Sequence, residues 1–529
     1  MGLALARDPE DDGFEEAEDQ FGAMAEFLRS MEAGKMTESD LERRLEEEGR
    51  ELLRKLLAAH VQMRAPGEAE GPVIDSEGVR RAEKRSHRRS LVTSFGKIGV
   101  PRMGYARAGE ASLYPLDGEM NLPRESYSLE LRRKVAWETA RGSFEEGQEA
   151  IERQTGVTIP KRQVEELAAR AAADFESFYQ ARSEAGQDTT EAGEEASGGE
   201  PVPLLIISFD GKGVVVREQD LRESTRRRRE SEKNARPGCK RMAIVATVYD
   251  VAPFVRTPLD VVDGLFPVDD STAMPPRRKR KQRKARPRPR SKRVWASLAR
   301  QPEEVMAEAF AEAAARDPQR RRPWVVLVDG EQHQLRLVRR FEKQYQFQIV
   351  LDFFHVLQRL WAAGRALCPE EKWQQHNYVR TRAQRVLSGW ASQVAGGMRA
   401  AATHRNLGKK DREPVDDACD YLVKYRRYLP YGDCLEAGLP IATGVIEGTC
   451  RSLLVHRMDR SGARWSLSGA EAVLKLRALV QSGDFDEYWK FHEACEQERN
   501  HASRYAEGEI PATRKLGFTP EKPNLKIVR

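Results

Sequence analysis

Two kinds of periodicity divide this chain. From residue 204 onward, short unbroken apolar runs close on Asp-Gly: LLIISFDGKGVVV at 204–216 and WVVLVDGE at 324–331. An apolar run without alternation reads as a strand buried on both faces, and the Gly behind it as the turn that leaves the sheet. The first run is expected to hold a strand and its hairpin partner around Gly211 and Gly213, with MAIVATVYDVAPF at 242–254 as a third strand. Residues 303–315 read as a helix, 324–329 as a strand, 331–344 as a helix and 347–351 as a fifth strand. Three antiparallel strands followed by parallel strands alternating with helices predict a mixed α/β fold.

Helical spacing governs most of the rest. Val445, Ile446, Cys450, Leu453, Leu454 and Met458 share one helix face, and 356 to about 430 is almost wholly helical, an all-α insertion ahead of that helix. Near the start, 19–62 carries Phe21, Met24, Phe27, Leu28, Leu41, Leu45, Leu52, Leu53 and Leu56 on a face that packs on the body or on a second copy. Residues 64–78 read as loop, and 90–109 alternates as a small β-hairpin around Gly96 and Gly99. Residues 126–179 split into about three amphipathic helices, the last two separated at 155–157 and restarted near Pro160. That is the layout of a helix-turn-helix, whose second helix would face the major groove with Lys161, Arg162 and Gln163, and Glu165 one turn on. A three-helix bundle with an exposed basic face fits the same spacing.

Composition refines the division. At roughly 150 residues per domain, 529 residues make three or four units. The segments are an acidic helical region 1–63, a small β-rich region 64–125, the helix-turn-helix 126–182, a Glu/Gly/Ser/Thr linker 183–201, a core part 202–355, the helical insertion 356–438, a last core part 439–495 and a tail 496–529. Net charge is +6 but unevenly spread: 8–51 is acidic, whereas an insert at 271–293 contains RRKRKQRKARPRPRSKR, without one acid. A polyanion is its natural partner. The six cysteines form no CxxC pair and no tight Cys/His group, so reduced thiols are expected rather than disulfides or zinc. Neither an export signal nor an apolar run near 18 residues is present, which predicts a cytoplasmic protein without a membrane partner.

Three carboxylates carry the candidate chemistry. Asp210 and Asp329 end apolar runs, where side chains face the crevice in which open α/β sheets hold ligands, and Glu447 projects from the helix at 445–458. Three acids meeting in one crevice repel, and a divalent cation relieves the repulsion. Each has a plainer explanation: Asp-Gly as a turn, and Glu447 paired with Arg451 one helical turn away. Asp352 and His355 end a strand nearby and could orient a bound water or phosphate, or act as cap and structural His. Lys212 could contact a scissile phosphate or be a solvated turn Lys. Arg451, His456, Arg457, Arg460, Arg464 and Trp465 form a basic stripe with an aromatic, suited to phosphate contact and base stacking, or else a solvated helix face.

The segments SFDGKGV, VVLVDGE, VLDFFHVLQRLW and TGVIEGTCRSLLVHRMDRSGARWSLSGAEAVLKLRAL resemble the blocks of RNase H-like DDE transposases of bacterial insertion sequences with a long helical insertion before the Glu. RGSFEEGQEAIERQTGVTIPKRQVEELAARAAADF resembles their amino-terminal DNA-binding region, and the likeness spans roughly 85–495. The basic insert 271–293 departs from it. The resemblance implies an RNase H-like core that cuts and joins DNA strands, double-stranded DNA (element ends and target) as partner, a homo-oligomer on DNA, and work at the nucleoid. It implies Asp210 as bridging ligand of two Mg²⁺ (or Mn²⁺) ions about 3.5–4 Å apart, with Asp329 and Glu447 each completing one site. Two other functions stay open: an inactive, domesticated DNA-binding protein, against which the presence of all three acids argues, and an RNase H-like nuclease that does not join strands.

Overall fold

The computed structural model describes residues 13–188, 202–231, 239–266, 285–369, 372–460 and 462–514. The chain divides into two units, Met1–Phe178 with Asp484–Arg529, and Tyr179–Gly483. Among the described residues no helix is long and apolar enough to cross a membrane.

In the first unit the acidic start forms two helices, Glu15–Leu28 and Glu38–Arg64, in place of one stretch over 19–62. The Thr37 hydroxyl starts the second by accepting the Asp40 N–H. Of the predicted apolar face, Phe21, Leu28, Leu45, Leu53 and Leu56 are exposed, and the buried residues of the two helices, Ala17, Ala59 and Val61, are none of those predicted. The hairpin begins earlier than its alternation suggested. Strands β1 (Glu83–Thr93) and β2 (Gly96–Ala106) pair from Thr93↔Gly96 to Glu83↔Ala106, so Gly96 (φ 123°) serves the turn and Gly99 lies inside β2.

Helices Leu129–Arg141, Phe144–Thr155 and Lys161–Ala171 follow. Ser128 and Ser143 cap the first two, Ser143 reciprocally with Glu146. Gly156 ends the second with a left-handed φ of 67°, which glycine adopts without steric cost. Leu131, Val135, Ile151, Ile159, Val164 and Leu167 close one core. The chain's last long helix, Phe485–Asn500, also belongs to this unit, so the 439–495 segment expected in the core domain is divided. Its anchor is ionic: fully buried Arg132 bonds Glu496 at 2.8 Å, and His492 Nδ1 bonds Asp174 at 2.7 Å. The expected tail is tied back as well, since the Glu70 N–H donates to the Ala512 carbonyl and the Ser76 N–H to that of Arg504.

The second unit is built on one mixed sheet, so the α/β expectation holds, with corrections to its strands. In β3 (Leu204–Val215), β4 (Lys240–Val251), β5 (Arg290–Ser297), β6 (Trp324–Val328) and β7 (Gln348–Leu351), the spatial order is β5-β4-β3-β6-β7. The first three are antiparallel, and β6 and β7 run parallel to β3. No turn forms at Gly211. β3 runs straight through both glycines, paired with β4 from Leu204↔Val251 to Val215↔Lys240. The third antiparallel strand is therefore β5, whose first four residues are the end of the segment expected as a basic insert. The part of that insert at 271–284 lies outside the described residues, as do 189–201 of the expected linker, whose start is still helical in Phe175–Asp188. The insertion is helical as expected: Phe353–Leu367, Lys372–Leu387, Ala391–His404, Lys409–Tyr425 and Tyr431–Glu436.

Arg293 shows why the basic run becomes strand. Its side chain is buried against the Tyr179 and Trp295 rings and forms ion pairs with Glu308 and Glu312 of helix Pro302–Arg316. Burial alone would raise the Glu312 carboxyl, but Arg293 and Arg316 outweigh it and hold it below its ordinary 4.5. A carboxyl lowered on folding contributes stability above 4.5 and loses it as pH falls through its lower folded value. Arg293→Met, which removes a buried cation from two partly buried carboxylates that keep Arg300 and Arg316, is expected to cost about 1–3 kcal/mol at pH 7. Urea unfolding of the full chain should show the gap between variant and wild type narrowing below pH 4.5. A loss independent of pH would show that packing, not the ion pairs, is what Arg293 contributes.

Candidate active site

Successive strand residues face opposite sides of a sheet, and β3 uses this at Phe209 and Asp210. The Phe209 ring lies 6.4 Å from Phe310 of helix Pro302–Arg316. Asp210 therefore points to the other face, where its carboxyl meets the Cys450 thiol of helix Gly444–Cys450. The pairing of β6 with β3 ends at Ser208↔Leu327, while β3 continues. Asp210 thus stands beside the opening where Asp329 leaves β6. There the Asp-Gly pair is required: Gly330 has φ 93°, and a Cβ on it would lie 2.6 Å from the Tyr421 hydroxyl. Asp329 accepts the Glu331 N–H at 2.9 Å, and Glu331 caps the next helix. From that helix Gln334 donates to the Phe209 carbonyl at 3.1 Å, holding β3 one residue before Asp210.

Glu447 is placed from the end of β7. Asp352 is fully buried, and its N–H donates to the Val328 carbonyl. Its Oδ2 accepts the His355 N–H at 3.1 Å and His355 Nδ1 at 2.7 Å, and its Oδ1 accepts the Thr443 N–H at 2.9 Å. The Phe353 N–H adds a bond to the Ile441 carbonyl. The Thr443 hydroxyl then donates to Glu447 Oε1 at 3.0 Å. After Cys450 the helix loosens into a π-helical turn, Arg451–Val455, before His456–Met458. Such turns recur at functional sites because the extra residue re-aims its neighbours.

The ligand atoms of Asp352, His355 and Glu447 lie within 4.8 Å of one another. Asp352 is an N-cap with both oxygens taken by protein donors, which suits it to orient His355 rather than to bind an ion. An acceptor-only carboxylate on Nδ1 makes that nitrogen the donor and leaves Nε2 for the site. Of the predicted acids only Glu447 belongs to this group among the described residues; Asp210 and Asp329 lie outside it, and the three are linked by charge. Burial raises the Asp210 carboxyl, and the charges of Asp329 and Glu447 add to it, against the opposing Gly211 N–H at 2.7 Å and the Cys450 thiol. Burial, then Asp210, pushes Cys450 up to about 12. The Asp352 hydrogen bond, with the charges of Asp352, Asp329 and Glu447, raises His355 against burial. Asp329 and Glu447 each have one oxygen anchored and a second left for a ligand, so the donor set fits a hard divalent cation.

The other expected residues divide. Lys212 is half-buried two residues beyond Asp210 and so on its face of β3. Arg451, His456, Arg460 and Arg464 are exposed. Arg457 and Trp465 are not. The guanidinium of buried Arg457 lies 4.6 Å over the Trp465 ring, and the Trp465 indole donates to the Met458 carbonyl at 3.2 Å. Trp465 also extends β3 as a bridge to Val216, so it cannot stack on a base, and Arg457 is closed to phosphate. In the first unit, Lys161 and Arg162 are exposed at the start of their helix, where they pair with Glu145 and Glu166, while Gln163 bonds Glu166.

Thr443, Cys450, Arg359 and Tyr421 were not anticipated as site residues. Arg359 and Tyr421 line a cavity of about 370 Å³ with Asp329 and His355. Thr443 and Cys450 stand four before and three after Glu447, a helical neighbourhood visible in the sequence, whereas nothing in the sequence joins Tyr421 to Asp329. A scan against protein-family models finds no match to the chain, and a search of curated proteins finds none either.

Trp465→Ala is expected to cost about 3–5 kcal/mol of stability, as for other buried Trp. A variant of wild-type stability with weakened DNA binding would restore Trp465 as a stacking residue.

Proposed function

We propose that the second unit is an RNase H-like core that cuts and joins phosphodiester bonds with divalent cations, and that the chain acts as a DNA transposase. The observation that carries this reading is the set of three carboxylates, from central β3, the end of β6 and a helix behind an all-α insertion, with Asp210 raised by burial and by the charges of the other two. Asp210 and Asp329 are half-buried and Glu447 is exposed, and like charges drawn to one crevice repel unless a cation neutralises them. Asp210, coupled to both partners, would be the shared ligand, with Asp329 and Glu447 each completing one of two sites for Mg²⁺ or Mn²⁺. When bound, these ions would supply the Lewis acidity that offsets charge building on the scissile phosphate.

The chain's own residues do the rest. Asp352 holds His355 so that Nε2 faces the site, where it can take a proton from the attacking water or hydroxyl. Asp352 also holds the 441–443 segment from which Glu447 springs. Lys212, Arg451, Arg460 and Arg464 would contact backbone phosphates, and Lys161, Arg162 and Gln163 base edges at element ends. Their surface ion pairs are worth only about 0–1 kcal/mol each and are readily exchanged for phosphate. The partner is double-stranded DNA, bound by more than one copy of the chain.

Asp210→Asn, Asp329→Asn and Glu447→Gln should each lower cleavage of element-end DNA about a thousandfold or more, because groups acting as one unit fail together. Without metal, each variant should melt at or above the wild-type temperature, since a repulsion has been removed. Mg²⁺ at about a hundred times its Kd should stabilise the wild type by about 2.7 kcal/mol and the variants by much less. Near-normal cleavage by any variant would remove that residue from the site. Strand transfer assayed with pre-cut ends separates a transposase from a nuclease that cannot join strands.

A further inference from the structure

In the first unit, helix Glu38–Arg64 and the hairpin of β1 and β2 border a groove of about 640 Å³. Its lining includes Arg54, Lys55, Arg88, Arg89 and Lys97 against one acid, Glu16. Two of the cations are spoken for. Arg54 bonds Glu51 through two nitrogens, at 2.6 and 2.7 Å. Arg89 donates to the Pro123 and Glu125 carbonyls and lies 3.6 Å from Asp117. Lys55 donates to neutral Gln20 and shares the field of Glu51 with Arg54. Exposed Arg88 and Lys97 have no hydrogen bond or ion pair among the described residues. The other cations of β1 and the facing strand do not share this state: Lys84, Arg85 and Arg102 pair with Glu68, Glu83 and Asp117.

The hairpin is shaped for Arg88. Gly99 of β2 has no Cβ, and one added there would lie 2.7 Å from Arg88 Nε and Nη2. The Arg88 guanidinium therefore lies close to the backbone of the neighbouring strand at Gly99. A planar fork is matched to the oxygens of a phosphodiester, and two nearby ammonium groups add charge without demanding geometry.

We propose that this groove is a contact surface for the phosphate backbone of duplex DNA, made by Arg88, Lys97 and Lys55 and opposed by Glu16. It adds a surface to the DNA-binding reading above, shares that reading's partner, and is independent of the carboxylate chemistry.

The test is fluorescence anisotropy of the full chain with a short duplex of random sequence across a salt series. Arg88→Gln with Lys97→Gln should weaken binding to all sequences alike and make the plot of log affinity against log salt shallower by about 1.8, or about 0.9 for each lost contact. Glu16→Gln should tighten binding at low salt. Both variants should melt as the wild type does, because the residues are exposed. A wild type that binds duplex with the slope unaltered in the double variant overturns the groove and leaves the DNA reading standing. A wild type that binds no duplex overturns both. Displacement of the duplex by inorganic phosphate at equal ionic strength would make this a small-anion pocket. Preferential binding of poly-glutamate, lost in the double variant, would make it a protein-docking site. Either result overturns the proposal.

Discussion

The Asp352 carboxylate is the tie on which the geometry of the second unit's site depends. It is fully buried and accepts three hydrogen bonds, two from His355 and one from the Thr443 main chain. One bond caps the first helix of the insertion, one sets an imidazole, and one fastens the chain that returns from the insertion. Between Asp352 and Thr443 lie five helices, and their stacking alone would not place a carboxylate to within an ångström. Charge-assisted bonds in a dry environment can, because each has a narrow range of length and angle and an unmade one is costly. Glu447 inherits its position one helical turn later through the Thr443 hydroxyl.

Around that tie the site is electrostatically unfinished. Burial first and neighbouring negative charge second raise the Asp210 carboxyl and push the Cys450 thiol up to about 12, and the Asp352 hydrogen bond with the nearby charges raises the His355 imidazole. Elsewhere the protein treats buried charge differently. Arg293 has Glu308 and Glu312, and Arg132 has Glu125 and Glu496, so these two buried cations are flanked by anions, whereas buried Arg477 is held by the Ser452 and Leu453 carbonyls. The contrast suits a site that is completed by something from outside.

Positive charge, too, divides by environment rather than by composition. The run of arginines and lysines ending at Arg293 looks uniform in sequence, yet its last four residues begin the edge strand β5, with Arg293 buried. Arg457 stands among other cations on its helix and is closed off by Trp465, whereas Arg88, within a strand of paired cations, is left open by the absence of a side chain on Gly99.

Much was legible in the sequence because periodicity is a local property. The apolar runs at 204–209 and 324–328, the helical insertion, the turn at Gly156 and the buried face of Val164, Leu167, Ala168 and Ala171 follow from which side chains must leave water. Asp329 at a strand end was legible for the same reason, as was Asp352 as a cap. What the sequence alone left undetermined needed partners distant along the chain. Whether Gly211 turns or continues depends on β4 offering an unbroken ladder through Lys240. Whether Arg290–Ser297 is strand depends on the open edge of β4 and on two glutamates of a later helix. Whether Trp465 meets solvent depends on Val216, and the unit to which Phe485–Asn500 belongs depends on Arg132 and Asp174. A residue's type limits what it can bond, but only the folded chain decides which bonds are within reach.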